Sequence, residues 1–254
     1  MNNNQEIILQ AENLSRYFGG VKAVDGVSFS LRRNEVLGVI GPNGSGKTTL
    51  ANLLTGFVKP SKGKVIFEGN DITGSPPYKV ADLGIARSFQ MVKPFYQLPA
   101  FKNLNVALLS PRVRRLAGGR YGDRDAMAKD LLEEVGFERD SWVISHQAAS
   151  LPHGYLKRLE LAKCMALQPE VIVLDELFSG LSLAEVASLV PVIEKLVHQG
   201  KTLVMIEHRL KELFRIADRV IVLNFGQKIA EGEPAQVMED PQVKGAYLGS
   251  EAEE

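Results

Sequence analysis

Disulfide chemistry is absent from this chain: among 254 residues there is one cysteine, Cys164, so no intrachain bridge can form and a reducing compartment is expected. A net charge is lacking as well. Thirty Lys and Arg balance thirty Asp and Glu, which argues against a strong, salt-dependent grip on nucleic acid. No uninterrupted apolar run approaches the roughly 18 residues needed to span a bilayer. The opening Met1-Asn2-Asn3-Asn4-Gln5-Glu6 has no basic-then-apolar signal pattern, so any membrane role is expected to come through a partner. What is present is ordinary for a protein with a real core, at 45% hydrophobic and 24% charged residues. The length exceeds the usual single-domain size, which predicts a sheet core carrying an inserted subdomain rather than two independent folds.

The most informative stretch runs from Glu35 to Leu54. An apolar run, Val36 to Ile40, leads into Gly41-Pro42-Asn43-Gly44-Ser45-Gly46, then Lys47-Thr48-Thr49 and an apolar helix start. This is the phosphate-loop pattern GxxxxGK[ST] between a buried strand and an amphipathic helix, the context it requires. Glycines at 41, 44 and 46 permit the backbone angles that turn successive N–H groups toward one anion, and the helix aims its positive end at the same place. Lys47 adds a point charge for the outer phosphates, and the Thr48 hydroxyl suits a magnesium ion. The segment Asn43, Gly44, Ser45, Gly46, Lys47, Thr48 and Thr49 is therefore expected to hold a nucleoside triphosphate.

Upstream, Ile7–Leu14 and Val24–Leu31 alternate imperfectly, as half-buried antiparallel strands do, with Ser15 to Gly20 expected to connect them. Tyr17 in that connection offers either a stacking face for a base or a packed turn aromatic. Gly63–Gly69 reads as a strand closed by a turn at Asn70-Asp71, Pro76-Pro77 opens a short helix to Leu83, and Ile85–Phe89 reads as a core strand ending at Gln90. A strand-end amide there is placed to reach a metal or an attacking water. From Lys93 to His146 the texture turns proline-rich and then helical, with Met127, Leu131, Leu132 and Val135 on one face up to Gly136. Its basic stretch Arg112–Arg120 is expected to be a solvated loop, with contact to lipid headgroups or a partner as the other use. A helix follows Leu151. The apolar strand Val171–Leu174 then delivers Asp175 and Glu176, which can divide labour: Asp175 toward magnesium, Glu176 polarising the attacking water. Leu183–Val197 is an amphipathic helix stopped by Gly200. Thr202–Ile206 is a further core strand ending in Glu207-His208, and His208 at that position can reach a γ-phosphate.

In this order, Tyr17, the loop Gly41 to Thr48, Gln90, a helical insertion, Leu151–Gly154, Asp175-Glu176 and His208, the chain resembles the ATP-binding subunits of ABC transporters over nearly its whole length. The resemblance implies Tyr17 as the adenine-stacking ring, Gln90 as the coupling glutamine, Asp175 as the magnesium-side aspartate, Glu176 as the catalytic glutamate and His208 as the switch histidine. It implies ATP and Mg2+ as cofactors, a second ATPase subunit, two membrane permease subunits and a solute-binding protein as partners, and a peripheral place on the cytoplasmic face of the inner membrane. The fold expected is α/β: a phosphate-loop NTPase core sheet, residues 1–90 and 168–254, with an antiparallel β edge and a helical subdomain at 91–167. More narrowly, Ala86-Arg87-Ser88-Phe89-Gln90, the basic segment, Arg158–Lys163 and Ala246-Tyr247-Leu248-Gly249 are similar to the larger ATPase subunit of branched-chain amino-acid importers.

Two departures stand out. The family signature, typically LSGGQ, is here Leu151-Pro152-His153-Gly154-Tyr155, so Pro152 lacks both a hydroxyl and an N–H to offer a partner's γ-phosphate. Ser182 stands where an aspartate or asparagine is usual. A heterodimer with unequal sites is expected to follow. Rival members of the superfamily fit less well: the span from Gln90 to Leu151 is too short for the coiled coil of a chromosome ATPase, and one cassette is present rather than the two of ribosome-associated relatives. A regulatory, weakly hydrolysing subunit is the alternative, opposed by Glu176 and His208.

Overall fold

The computed structural model describes residues 6–119, 122–139 and 141–250. The chain opens with β1 (Ile7–Phe18), β2 (Val21–Arg32) and β3 (Val36–Ile40), followed by α1 (Lys47–Leu54), β4 (Lys62–Phe67), β5 (Asn70–Asp71), α2 (Pro77–Leu83) and β6 (Ile85–Arg87). A helical stretch comes next: a 3₁₀ turn at Phe101–Leu104, α3 (Asn105–Leu108), α4 (Pro111–Leu116), α5 (Arg124–Glu134), α6 (Trp142–Ser145) and α7 (His153–Ala166). The remainder is β7 (Val171–Asp175), α8 (Leu183–His198), β8 (Thr202–Ile206), α9 (Leu210–Ile216), β9 (Arg219–Asn224), β10 (Gln227–Gly232), α10 (Pro234–Val237) and α11 (Pro241–Ser250).

Six strands form the central sheet in the order β10-β9-β3-β8-β7-β6, parallel except for β10, which runs against β9. Its inner strands are buried on both faces, which is why they read as unbroken apolar runs. Alternation sorts those side chains into two layers. Leu37, Val39, Val173, Val204 and Ile221 pack with Leu50 and Leu54 of α1 beneath the first strands, while Val36, Ile172, Leu174, Met205 and Val220 pack with α7, α8 and the helical stretch. The carboxyl ends of β3, β7 and β8 therefore deliver the phosphate loop, Asp175-Glu176 and Glu207-His208 to one edge.

Several local expectations are corrected. The expected antiparallel part is a four-stranded sheet of its own, β2-β1-β4-β5, with α1 between it and the central sheet. Ser15–Phe18 is strand rather than connection: Tyr17 pairs with Lys22 and Phe18 with Val21, leaving Gly19-Gly20 as the turn. The turn after β4 is Glu68-Gly69, at φ 48° and 75°, and Asn70-Asp71 pairs back onto Phe67 and Ile66. β6 stops at Arg87; the Ser88 amide still donates to the Val173 carbonyl, but Phe89 and Gln90 have left the strand.

The basic stretch is solvated from Arg114 to Gly119, as expected, but it does not begin as a loop. Arg112–Leu116 is helical, and Arg112 is buried, its guanidinium donating to the carbonyls of Leu83 (2.8 Å), Gln168 (2.9 Å) and Leu167 (3.1 Å). These carbonyls end elements and have no ladder partner, so a planar five-donor group suits them. Arg120 lies outside the described residues. Among the described residues, no helix is long and apolar enough to cross a membrane.

Candidate functional site

Between β3 and α1 the backbone passes other chain segments too closely for a side chain. A Cβ on Gly41 (φ 147°) would stand 2.1 Å from the Leu223 carbonyl oxygen, and one on Gly46 (φ 104°) 2.3 Å from that of Ala23. Glycine is required at both. Gly46 caps α1 without any side-chain acceptor, so the first amides of the helix stay open to an anion. Lys47 is buried and curls back, its Nζ donating to the carbonyls of Gly41 and Pro42, each at 2.8 Å. Burial lowers its pKa, against the pull of the Glu176 and Asp175 carboxylates. From the far end of the chain, the Tyr247 hydroxyl lies against the Gly41 backbone, and burial pushes it up to about 12.

Glu176 follows β7 with φ 50°, a left-handed conformation that costs a non-glycine residue on the order of 1–3 kcal/mol. Both of its backbone groups are tied: its N–H donates to the Ile206 carbonyl (2.9 Å), and its C=O accepts from the Lys157 ammonium (3.1 Å). The carboxylate is clamped as well, with Oε2 accepting from Gln90 Nε2 at 2.5 Å and Oε1 facing His208 Nε2 at 2.9 Å. Lys157, on α7 and 1% exposed, also donates to the Gln90 carbonyl at 2.9 Å. One buried ammonium thus joins the signature helix, the segment after β6 and the Glu176 backbone. Burial lowers its pKa, opposed by Glu207 and Glu176. Glu207 Oε1 accepts from the Phe178 amide (3.1 Å) and supports the turn beyond Glu176.

The loop residues Asn43 to Thr49 line a cleft of about 460 Å³ with Glu176 and His208. Thr48 is shared with a second cavity of about 550 Å³, where it meets Gln90 and Asp175. Asp175 Oδ1 is buried with no hydrogen-bond partner, and Ser45 Oγ likewise. One carboxylate oxygen, a hydroxyl and an amide around a cavity fit magnesium, which keeps waters and takes one or two carboxylates alongside substrate phosphates. The Gln90 amide nitrogen, however, is engaged by Glu176.

Tyr17 is not brought into the cleft. Its hydroxyl donates to Asp25 Oδ1 (2.9 Å), and that rim is made by Val21, Lys22, Ala23 and the 84% exposed Phe225. Tyr17 pairs with Lys22 and both side chains bond Asp25, the hydroxyl at Oδ1 and the ammonium at Oδ2 (3.0 Å), which ties the ring to Asp25 while Lys22 lines the cleft. The signature residues open α7: Leu151 is buried, Pro152 is the N-cap, His153 packs against Gly180, and Tyr155 meets Phe137 edge-on at 4.9 Å. Glu185 of α8 reaches across to the Gly154 amide, and with Ser182 it forms a capping box. The hydroxyl and amide of Ser182 hold the Glu185 carboxyl below its usual range, with a smaller contribution from Gly154. Phe225, Lys157, Glu185 and Glu207 escaped sequence reasoning. Only Phe225 had a local signal, a large apolar residue inside the Asn224–Gly226 turn.

Residues 24–179 match a family model described as ABC transporter, and residues 227–253 one described as Branched-chain amino acid ATP-binding cassette transporter. The chain is 37% identical over 252 residues to the high-affinity branched-chain amino acid transport ATP-binding protein BraF of Pseudomonas aeruginosa, covering 95% of this chain and 98% of that protein. LivG of Escherichia coli, of the same description, is 37% identical over 256 residues, with coverage of 95% and 98%. Among solved structures, a nucleotide-free ATP-binding cassette from an ABC transporter superposes with TM-score 0.82 at 33% identity, over 95% of this chain and 98% of that one. The ADP conformation of the cassette MJ1267 gives 0.81 at 34%, over 96% and 99%.

Proposed function

The chain belongs to the ABC transporter ATP-binding family, as an ATPase homologous to BraF and LivG, and from that premise we propose that it hydrolyses ATP to drive import of a branched-chain amino acid or related small solute. The observation that carries the reading is the Glu176 carboxylate, held between Gln90 and His208 at the cleft of the phosphate loop. In this reading Lys47 and the open amides of α1 bind the phosphates, and Thr48 and Asp175 hold magnesium, with Gln90 at the border. The ion supplies neutralisation of charge developing on the phosphates. Glu176 polarises the attacking water and His208 senses the γ-phosphate. The base lies against the cleft rim of Val21, Lys22, Ala23 and Phe225 rather than on Tyr17, whose hydroxyl is held by Asp25.

Residues 1–90 and 168–254 form the nucleotide core in this proposal, and 91–167 the helical subdomain that transmits its state through Gln90 to two membrane permease subunits. A solute-binding protein feeds those permeases, and no nucleic acid takes part. The chain sits peripherally on the cytoplasmic face of the inner membrane, paired with a second ATPase subunit. The signature favours a heterodimer: Pro152 has no N–H, and the Glu185 carboxylate lies against Gly154. The site that receives this signature across the interface is the weaker one, and the site built on Lys47 and Glu176 carries turnover.

The test is uptake and ATPase activity of the assembled transporter with Glu176→Gln here, or with the matching glutamate changed in the partner. Losing one preorganised donor at a developing charge costs roughly a hundred- to thousandfold in rate, so the Glu176→Gln assembly is expected to lose far more turnover. Equal losses, or a larger loss from the partner's change, reject unequal sites, and parent turnover in Glu176→Gln rejects the catalytic role.

A further inference from the structure

Arg87 is the one charged residue of β6, a strand otherwise made of Ile85 and Ala86, and it points at the nucleotide site rather than at solvent. Its side chain is 5% exposed and that of its partner Asp175 is 2% exposed. One arm of the guanidinium, Nη2, donates to Asp175 Oδ2 at 2.6 Å, while Nη1 donates to Asn52 Oδ1 (2.6 Å) and Thr55 Oγ1 (3.3 Å) at the end of α1. The group also lies 5.7 and 5.4 Å from the ring centres of Phe57 and Phe89, which themselves meet edge-on at 5.3 Å. The fork therefore ties the tip of β7 to the helix that follows the phosphate loop.

We propose that Arg87 is a positioning residue of the nucleotide site, occupying Asp175 Oδ2 so that Oδ1 alone is presented to the divalent cation beside Thr48. The inference rests on the reading of Asp175 as the metal-side carboxylate. An aspartate's terminal torsion is broad and two-fold, so an unrestrained carboxylate samples either oxygen. With Oδ2 committed, only Oδ1, buried and without a partner, is left to bind. Lysine is a poor substitute, because a single point charge cannot hold Asp175, Asn52 and Thr55 together in one plane. Were Arg87 only a structural counter-charge, its loss would lower stability and leave cation affinity alone.

The experiment loads the full chain with a non-hydrolysable ATP analogue and follows Mn2+ binding by electron paramagnetic resonance, with analogue affinity in EDTA and circular dichroism measured beside it. Removing a residue that orients a metal ligand typically costs 10–100-fold in metal affinity, and Arg87→Met is expected to weaken Mn2+ binding by about that factor while metal-free analogue affinity stays at the parent value. Arg87→Lys should recover part of the loss. Parent Mn2+ affinity in Arg87→Met, where Asp175→Asn has lost it, overturns the proposal. Parent affinity in both variants overturns the placing of Asp175 on which it rests. If Arg87→Met does not fold, Asn52→Ala, which removes the outer anchor of the fork, must weaken Mn2+ in the same direction by a smaller factor; parent affinity there rejects the positioning role.

Discussion

Glu207 precedes His208 at the end of β8 and is 2% exposed, so its carboxyl group titrates inside the protein. Burial pushes its pKa up to about 8, against the Phe178 and Leu177 amides and the Lys157 charge, all of which favour the ionised form. The unfolded chain gives up this proton near 4.5 and the folded one near 8. Within that window the native state binds more protons than the unfolded state, so this group's contribution to stability falls as pH rises from about 4.5 to about 8 and is level above it. Glu207→Gln should remove that part of the slope, which urea titrations of parent and variant across the window will measure; parallel curves would reject a buried, protonated Glu207. Other residues of the site differ in how far the amino-acid order announces them. Gly41, Gly46 and Lys47 are legible because their constraints are local: a loop that must turn amides inward leaves no room for a Cβ. Arg87, Lys157 and Glu185 are not, because what each touches is set by tertiary folding. Lys157 reaches Gln90 and Arg87 reaches Asp175 over long stretches of chain, and no spacing rule links such pairs.

Among elements, the apolar runs of β3, β7 and β8 were readable because parallel strands buried on both faces leave a continuous signature. Short or half-exposed pieces were not. The sequence extends β6 too far because Ser88 keeps one ladder bond after the strand has ended, and α4 reads as a loop because a solvated basic run and a buried arginine look alike in one dimension. Arg112 shows what that helix is for. Its guanidinium joins α4 to carbonyls at the end of α2 and between α7 and β7, fastening the helical stretch to the sheet. Each buried acceptor left unpaired costs roughly 1–3 kcal/mol, so Arg112→Ala is expected to lower unfolding free energy by at least about 2 kcal/mol. Arg115→Ala, which breaks a solvent-exposed pair with Asp82, should cost less than about 1 kcal/mol. Denaturant midpoints with unchanged slopes will separate the two; equal shifts would mean that water already serves the Arg112 carbonyls.

At the scale of the whole molecule, the helix after the phosphate loop is held between two sheets of different origin. The antiparallel sheet is local, built mostly from a hairpin and the strand after α1, whereas the central sheet joins segments from distant parts of the chain. Its middle strand is the extreme case: Val36 pairs with Leu203 and Leu37 with Arg219, and β3 has no earlier neighbour. During synthesis, at about 5–20 residues per second, the strand that carries the phosphate loop waits roughly ten to thirty seconds for its first partner. For that interval an apolar strand is outside the ribosome without a sheet to join, which makes it a natural client for a holding chaperone. Ribosome-arrested chains in which β9 has not emerged should be cut by protease between residues 36 and 54, and chains with β9 and β10 outside the tunnel should resist. Protection of that segment before β8 appears would show that the loop assembles on the amino-terminal hairpin alone. A nucleotide site whose strand is translated early and paired late is in effect a completion signal, able to close on ATP only after most of the message has been read.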